Sequence, residues 1–166
     1  MRLEDFKPDD VFDYEYKGKL WGNDDVCVGL ILNEEAEDKE ALFKNCFNAI
    51  KEKIEWINNN RNKIEKALLD DGMVELAEDW ASSSEEAEDE EQECYIMDDG
   101  TKVFIPITEE DFCNSLHLDG FTIYCDSEKD ISVDVFLFCK PDYFAYHSIE
   151  LFVNEDNTID VNGLAG

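Results

Sequence analysis

Polar and apolar residues alternate first at the N-terminal end, where Phe12, Tyr14 and Tyr16 share one side of a predicted strand and Asp13 and Glu15 the other. Lys17-Gly18-Lys19 is the expected turn, Asp24-Asp25 a second break, and Val26 to Leu32 a buried strand. The period then changes. Phe43, Phe47, Ile50, Ile54, Ile57, Ile64 and Leu68 recur at spacings of three, four and seven, with Leu42, Cys46 and Trp56 widening the stripe. This predicts an amphipathic helix from about 38 to 69, with Asn58-Asn59-Asn60 the point where it can fray or break and Gly72 closing it. A shorter helix is expected from Met73 to Trp80.

From Ser82 to Glu93 the apolar signal vanishes. Seven of the ten residues from Ser84 to Glu93 are acidic, and charges this dense repel one another and bury nothing, so a mobile loop is expected over 82–93. Extended patterning follows. Cys94 to Met97 and Lys102 to Ile105 flank Asp98-Asp99-Gly100, a hairpin signal. Thr108 is placed to cap a short helix reaching about Leu116. Strands are expected at Gly120 to Cys125, Ile131 to Cys139, Ser148 to Val153 and Thr158 to Val161. Their short links predict antiparallel pairing. The resulting fold class is α+β: a mainly antiparallel sheet packed against one long amphipathic helix, with shorter helices, in a single domain spanning 1–166.

Charge adds what periodicity does not. The 166 residues hold 43 acids against 14 bases, a formal net charge of -29. Nucleic-acid affinity comes from Lys and Arg neutralising phosphates, so that partner class is excluded, as is docking on an anionic membrane. A basic protein is the expected partner, because opposite fields accelerate encounter. The composition is 43% hydrophobic and 12% aromatic, unlike acidic disordered chains, so the charge sits on a folded body. Self-repulsion then favours a monomer in the free state. Six cysteines accompany a start, MRLEDFKPDD, without an apolar signal region. Reduced thiols and a cytoplasmic location are expected.

Candidate chemistry is sparse. His147, between Tyr146 and Ser148 at a strand start, reads either as a site residue or as a structural histidine bonding a backbone carbonyl. His117 follows Cys113 at i+4, but no further ligands complete a zinc set. Asn154-Glu155-Asp156-Asn157-Thr158 mimics part of a calcium loop without its Gly and its final Glu. No P-loop, GxGxxG or GxSxG is present. No catalytic residue, metal or cofactor is therefore expected. Partner contacts are assigned to Glu85, Glu86, Glu88, Asp89, Glu90, Glu91 and Glu93, with Trp80 as an aromatic anchor and His147 as a further contact.

The stretch from Pro141 to Gly163 resembles the end of the bacterial family called domain of unknown function 2262. Phe144, His147, Ile149, Asp156, Ile159 and Gly163 fit its pattern, while Tyr146 stands where the pattern has Gly. The upstream order is similar: Trp21 before a strand, a helix with Trp56, then Leu118 to Tyr124. The resemblance spans about residues 12–163. It implies no established activity; it implies proximity to toxin genes in bacterial polymorphic-toxin loci, and hence an immunity protein that blocks a cationic toxin. The alternatives are an acidic interaction module or nucleic-acid mimic regulating a basic cellular protein, and an enzyme using His147.

Overall fold

In the computed structural model, residues 1–87 and 92–166 are described. A single 3-10 turn at Leu3–Asp5 precedes β1 (Lys7–Pro8), β2 (Tyr14–Leu20), β3 (Asn23–Leu32), α1 (Lys39–Asn59), α2 (Arg61–Asp70), α3 (Met73–Ala81), β4 (Glu85–Glu86), β5 (Cys94–Ile96), β6 (Lys102–Phe104), α4 (Glu109–Ser115), β7 (Leu116–Ser127), β8 (Asp130–Cys139), β9 (Ser148–Val153) and β10 (Ile159–Ala165). Among the described residues the strands form a seven-stranded sheet in the order β1-β2-β3-β7-β8-β9-β10 and a small sheet in the order β4-β5-β6. The fold is thus mixed helix and sheet, with four α-helices among the described residues and a mostly antiparallel large sheet.

The chain divides into two compact units. One comprises Met1–Arg61, Leu118–Phe136 and Leu151–Asp160; the other comprises Asn62–His117, Leu137–Glu150 and Val161–Gly166. The first is built on β3, whose Val26, Val28, Leu30 and Leu32 are almost fully buried. β2 pairs with it antiparallel, and β7 pairs with it parallel, Cys27 opposite Gly120 through Leu32 opposite Cys125. That parallel pair is the exception in a sheet expected, and found, to be mainly antiparallel. Hairpin-length links report only neighbours in sequence, whereas β3 and β7 are joined through four helices and a second sheet. Gly120 suits this pairing, since a Cβ there would lie 2.8 Å from the Cys27 carbonyl. Lys17-Gly18-Lys19 lies within β2, and the reversal falls at Trp21-Gly22, where both residues have positive φ.

In α1 the buried positions are Phe43, Cys46, Ile50, Lys53, Ile54 and Ile57, spaced by the helical period. Asp38 caps the helix through Ala41 N–H. The helical span read from the sequence is divided at Asn60. There the last carbonyls of α1 are taken by side chains: Trp56 O accepts from Asn60 Nδ2 at 2.8 Å, and Ile57 O accepts from Trp21 Nε1 at 2.9 Å. Only the Asn run was readable beforehand; the competing Trp21 indole is 36 residues away.

The second unit carries the short elements. Ile64, Leu68, Met73, Ala77 and Ala81 from α2 and α3 are buried, as are Val103, Ile107, Phe112, Tyr143 and Phe144. Thr108 caps α4 as expected, accepting from Asp111 N–H at 3.0 Å. All six cysteines are free thiols. No helix among the described residues is long and apolar enough to cross a membrane.

Candidate functional site

The acidic stretch begins where α3 ends, and its described ends are ordered. The sequence reading has a loop from 82; the structure instead has Glu85–Glu86 as strand β4, paired antiparallel with Tyr95 and Ile96 of β5. Ala87 N–H continues the ladder to Cys94 O at 2.8 Å. The physical reason is backbone pairing: a strand edge accepts any residue whose N–H and C=O can bond, and the glutamate side chains stay exposed on it. Glu93 is also exposed and accepts from the Tyr95 hydroxyl. Glu88, Asp89, Glu90 and Glu91 lie outside the described residues.

Trp80 and His147, predicted separately, are brought together. Their rings meet edge-on with centroids 5.3 Å apart, and Trp80 also contacts Phe144 at 6.0 Å. Trp80 is half-buried on α3, so its ring serves the packing of this unit as well as its surface. His147 is fixed by its own turn. Its Nδ1 lies 2.8 Å from Phe144 O and 3.2 Å from Ala145 O, and its N–H donates to Phe144 O at 3.0 Å. A carbonyl partner requires Nδ1 to carry the proton. The ring is thereby held as a structural histidine is held, and the adjoining Gly166 leaves it room: a Cβ there would come within 2.5 Å of Cδ2.

The turn from Lys140 to His147 explains why these groups stay in place. Buried Tyr143 and Phe144 anchor it below. Asp142 organises it above, its carboxylate accepting from Phe144 N–H at 3.3 Å and Tyr146 N–H at 2.8 Å. Ala145 and Tyr146 are both left-handed, with φ of 50° and 67°. Tyr146 is the position where the resembled pattern has Gly, the residue that adopts this conformation without steric cost. The tyrosine is 68% exposed. A large exposed aromatic held in a left-handed backbone is a feature the sequence reading did not single out; the signal was the mismatch with Gly. Glu75 and Asp79 add exposed acids near the same elements, four apart on α3.

Elsewhere, the segment that mimics a calcium loop already holds a cation. The Lys53 ammonium donates to Asn154 O and Asn157 Oδ1, both at 2.8 Å, and to Glu155 O at 3.3 Å. Burial pushes the Lys53 ammonium below the usual lysine range. Asp156 is turned to Thr158, whose hydroxyl and N–H it accepts at 2.7 and 2.9 Å. Among the described residues no group of three or more His, Cys, Asp or Glu could hold a metal ion. Cys113 and His117 accordingly form no such centre.

The profile of a family described as "Uncharacterized protein conserved in bacteria (DUF2262)" matches residues 2–164. No curated protein matches the chain. No solved structure matches it either.

Proposed function

The chain belongs to this uncharacterised bacterial family, DUF2262, and from that premise we propose that it is a non-catalytic acidic binding protein: an immunity protein that neutralises a cognate cationic toxin by covering its active site. One observation carries the reading, the net charge of -29 on a folded, aromatic-rich body. A field of that sign concentrates cationic partners and repels nucleic acid and anionic membrane. Glu85, Glu86 and Glu93 present exposed carboxylates, joined by Glu75 and Asp79 on α3. Isolated surface pairs contribute under about 1 kcal/mol each, so binding would draw on the network rather than on any one acid. Tyr146 supplies the rigid aromatic contact that such interfaces use as an anchor, beside the Trp80–His147 pair.

Purification of the tagged protein from its native bacterium is expected to bring down a basic protein in stoichiometric amount. Its affinity should fall steeply with salt, and replacing Glu85, Glu86, Glu88, Asp89, Glu90, Glu91 and Glu93 by their amides should weaken it at least tenfold. A partner bound equally well in low and high salt, or bound equally well by the amide variant, would sink the charge argument.

A further inference from the structure

We propose that the cavity walled by β6, α4 and the turn after β8 binds a small organic oxyanion, a carboxylate or phosphate on an apolar body, through Lys102, Lys140 and Tyr143. This stands apart from the toxin-binding reading, which draws on the acidic surface.

The cavity measures about 480 Å³, within the ~300–1,000 Å³ common for small-molecule sites. Its charge is inverted relative to the rest of the protein. The chain has 43 acids against 14 bases, yet among the described residues this cavity is lined by Lys102 and Lys140 against the one carboxylate of Asp111. That carboxylate is already engaged, accepting from the Thr108 hydroxyl at 2.6 Å in the cap of α4. Among the described residues neither lysine makes a direct ion pair, and Lys140 feels the more distant carboxylate of Asp99, whose pKa it helps to lower.

Tyr143 supplies the independent observation. It is only 5% exposed, its ring stacks on Phe112 at 6.4 Å, and it lines the cavity. Among the described residues no hydrogen bond reaches its hydroxyl, and no side-chain oxygen sealed from solvent is left without a partner. The hydroxyl therefore keeps some access to solvent, and Tyr143 is among the residues lining the cavity. A ligand acceptor there would exchange the hydroxyl's bond to water for a direct hydrogen bond in a partly apolar setting. Burial pushes the Tyr143 phenol up to about 12, so it remains a donor at neutral pH. Val103, Phe104 and Ile107 provide the apolar wall, Phe104 being 42% exposed. The scaffold is firm: Lys140 N–H donates to Ser115 O at 2.9 Å, and Ile107 N–H to Glu78 Oε1 at 2.7 Å.

The test is an amide-resolved NMR titration at physiological salt with three probes: benzoate, phenyl phosphate and benzyl alcohol. Saturable shifts confined to residues 102–115 and 140–143 are expected with benzoate or phenyl phosphate, and the stronger of the two identifies the anion. Benzyl alcohol, with the ring but no charge, should bind at least tenfold more weakly. Lys102→Gln and Lys140→Gln should each weaken the anion at least fivefold. Tyr143→Phe, which keeps the ring, should weaken it about threefold while the fold, followed by the same spectra, persists. Equal binding of benzyl alcohol, shifts spread over lysines elsewhere, absence of saturable shifts, or indifference to both lysine substitutions would overturn the proposal.

Discussion

Lys53→Met tests whether one buried ammonium organises the β9–β10 turn. Lys53 is 7% exposed and reaches two backbone carbonyls and the Asn157 side chain at 2.8–3.3 Å. Methionine keeps most of the apolar stem, so the change isolates the charged head. A hydrogen bond from a charged donor is worth about 1.5–3 kcal/mol net. Two are short and one is long, which gives a gross loss of about 4–6 kcal/mol. Relief of the ammonium's desolvation offsets part of this, and the turn can rehydrate. The expected net destabilisation is about 3 kcal/mol. For a chain of 166 residues this corresponds to a fall in Tm of about 6–12 °C. Urea and thermal unfolding measure it directly. Asn157→Gly keeps the left-handed backbone, φ 67°, and removes one acceptor, so it should cost about 1 kcal/mol. Loss of less than about 1 kcal/mol in Lys53→Met would refute the reasoning and leave the ammonium a bystander.

Salt should stabilise the protein, since screening shortens the reach of self-repulsion from about 30 Å at 0.01 M to about 3 Å at 1 M; Tm is expected to rise by several degrees in NaCl, and a flat or falling Tm would contradict a repulsion-limited fold. Tyr146→Gly removes a left-handed L-residue that costs about 1–2 kcal/mol, less about 0.5–1 kcal/mol of extra backbone entropy. It should raise stability by about 0.5–1 kcal/mol while weakening capture of the cationic partner, and a loss of stability would show that the ring packs where it is seen exposed. Burial and a hydrogen bond to Glu15 push the Cys27 thiol from 9.0 to about 11. Iodoacetamide at pH 8 should therefore modify it about 100-fold more slowly than a free thiol. Because this folded-state value is raised, the native state holds the proton more tightly, and the contribution to stability is present below pH 9 and lost as pH rises to about 11. Modification at the free-thiol rate would disprove the shift.

Local periodicity made much of the architecture legible. The boundaries of β9, the cap at Thr108, the α1 stripe and the break region at its end are all set by residues within a turn or two of one another. The carbonyl bond that holds His147 is likewise local, made within three residues. Net charge is a sum over the chain and needs no fold at all, which is why the expected class of partner could be reasoned from composition.

What the tertiary structure decided are the relations between distant residues. The parallel register of β3 on β7, the meeting of Trp80 with His147, the capture of the Asn154 turn by Lys53 and the Lys102–Lys140 cavity each join positions 38 to 101 residues apart. Sequence spacing encodes which face a side chain occupies, because helices and strands repeat with fixed periods. It does not encode which face will be opposite, because that follows from packing and backbone pairing summed over the whole chain. The glutamates at 85 and 86 show both sides of this: their solvent exposure was dictated by charge, and their place on a strand edge by the partner strand that the fold supplied.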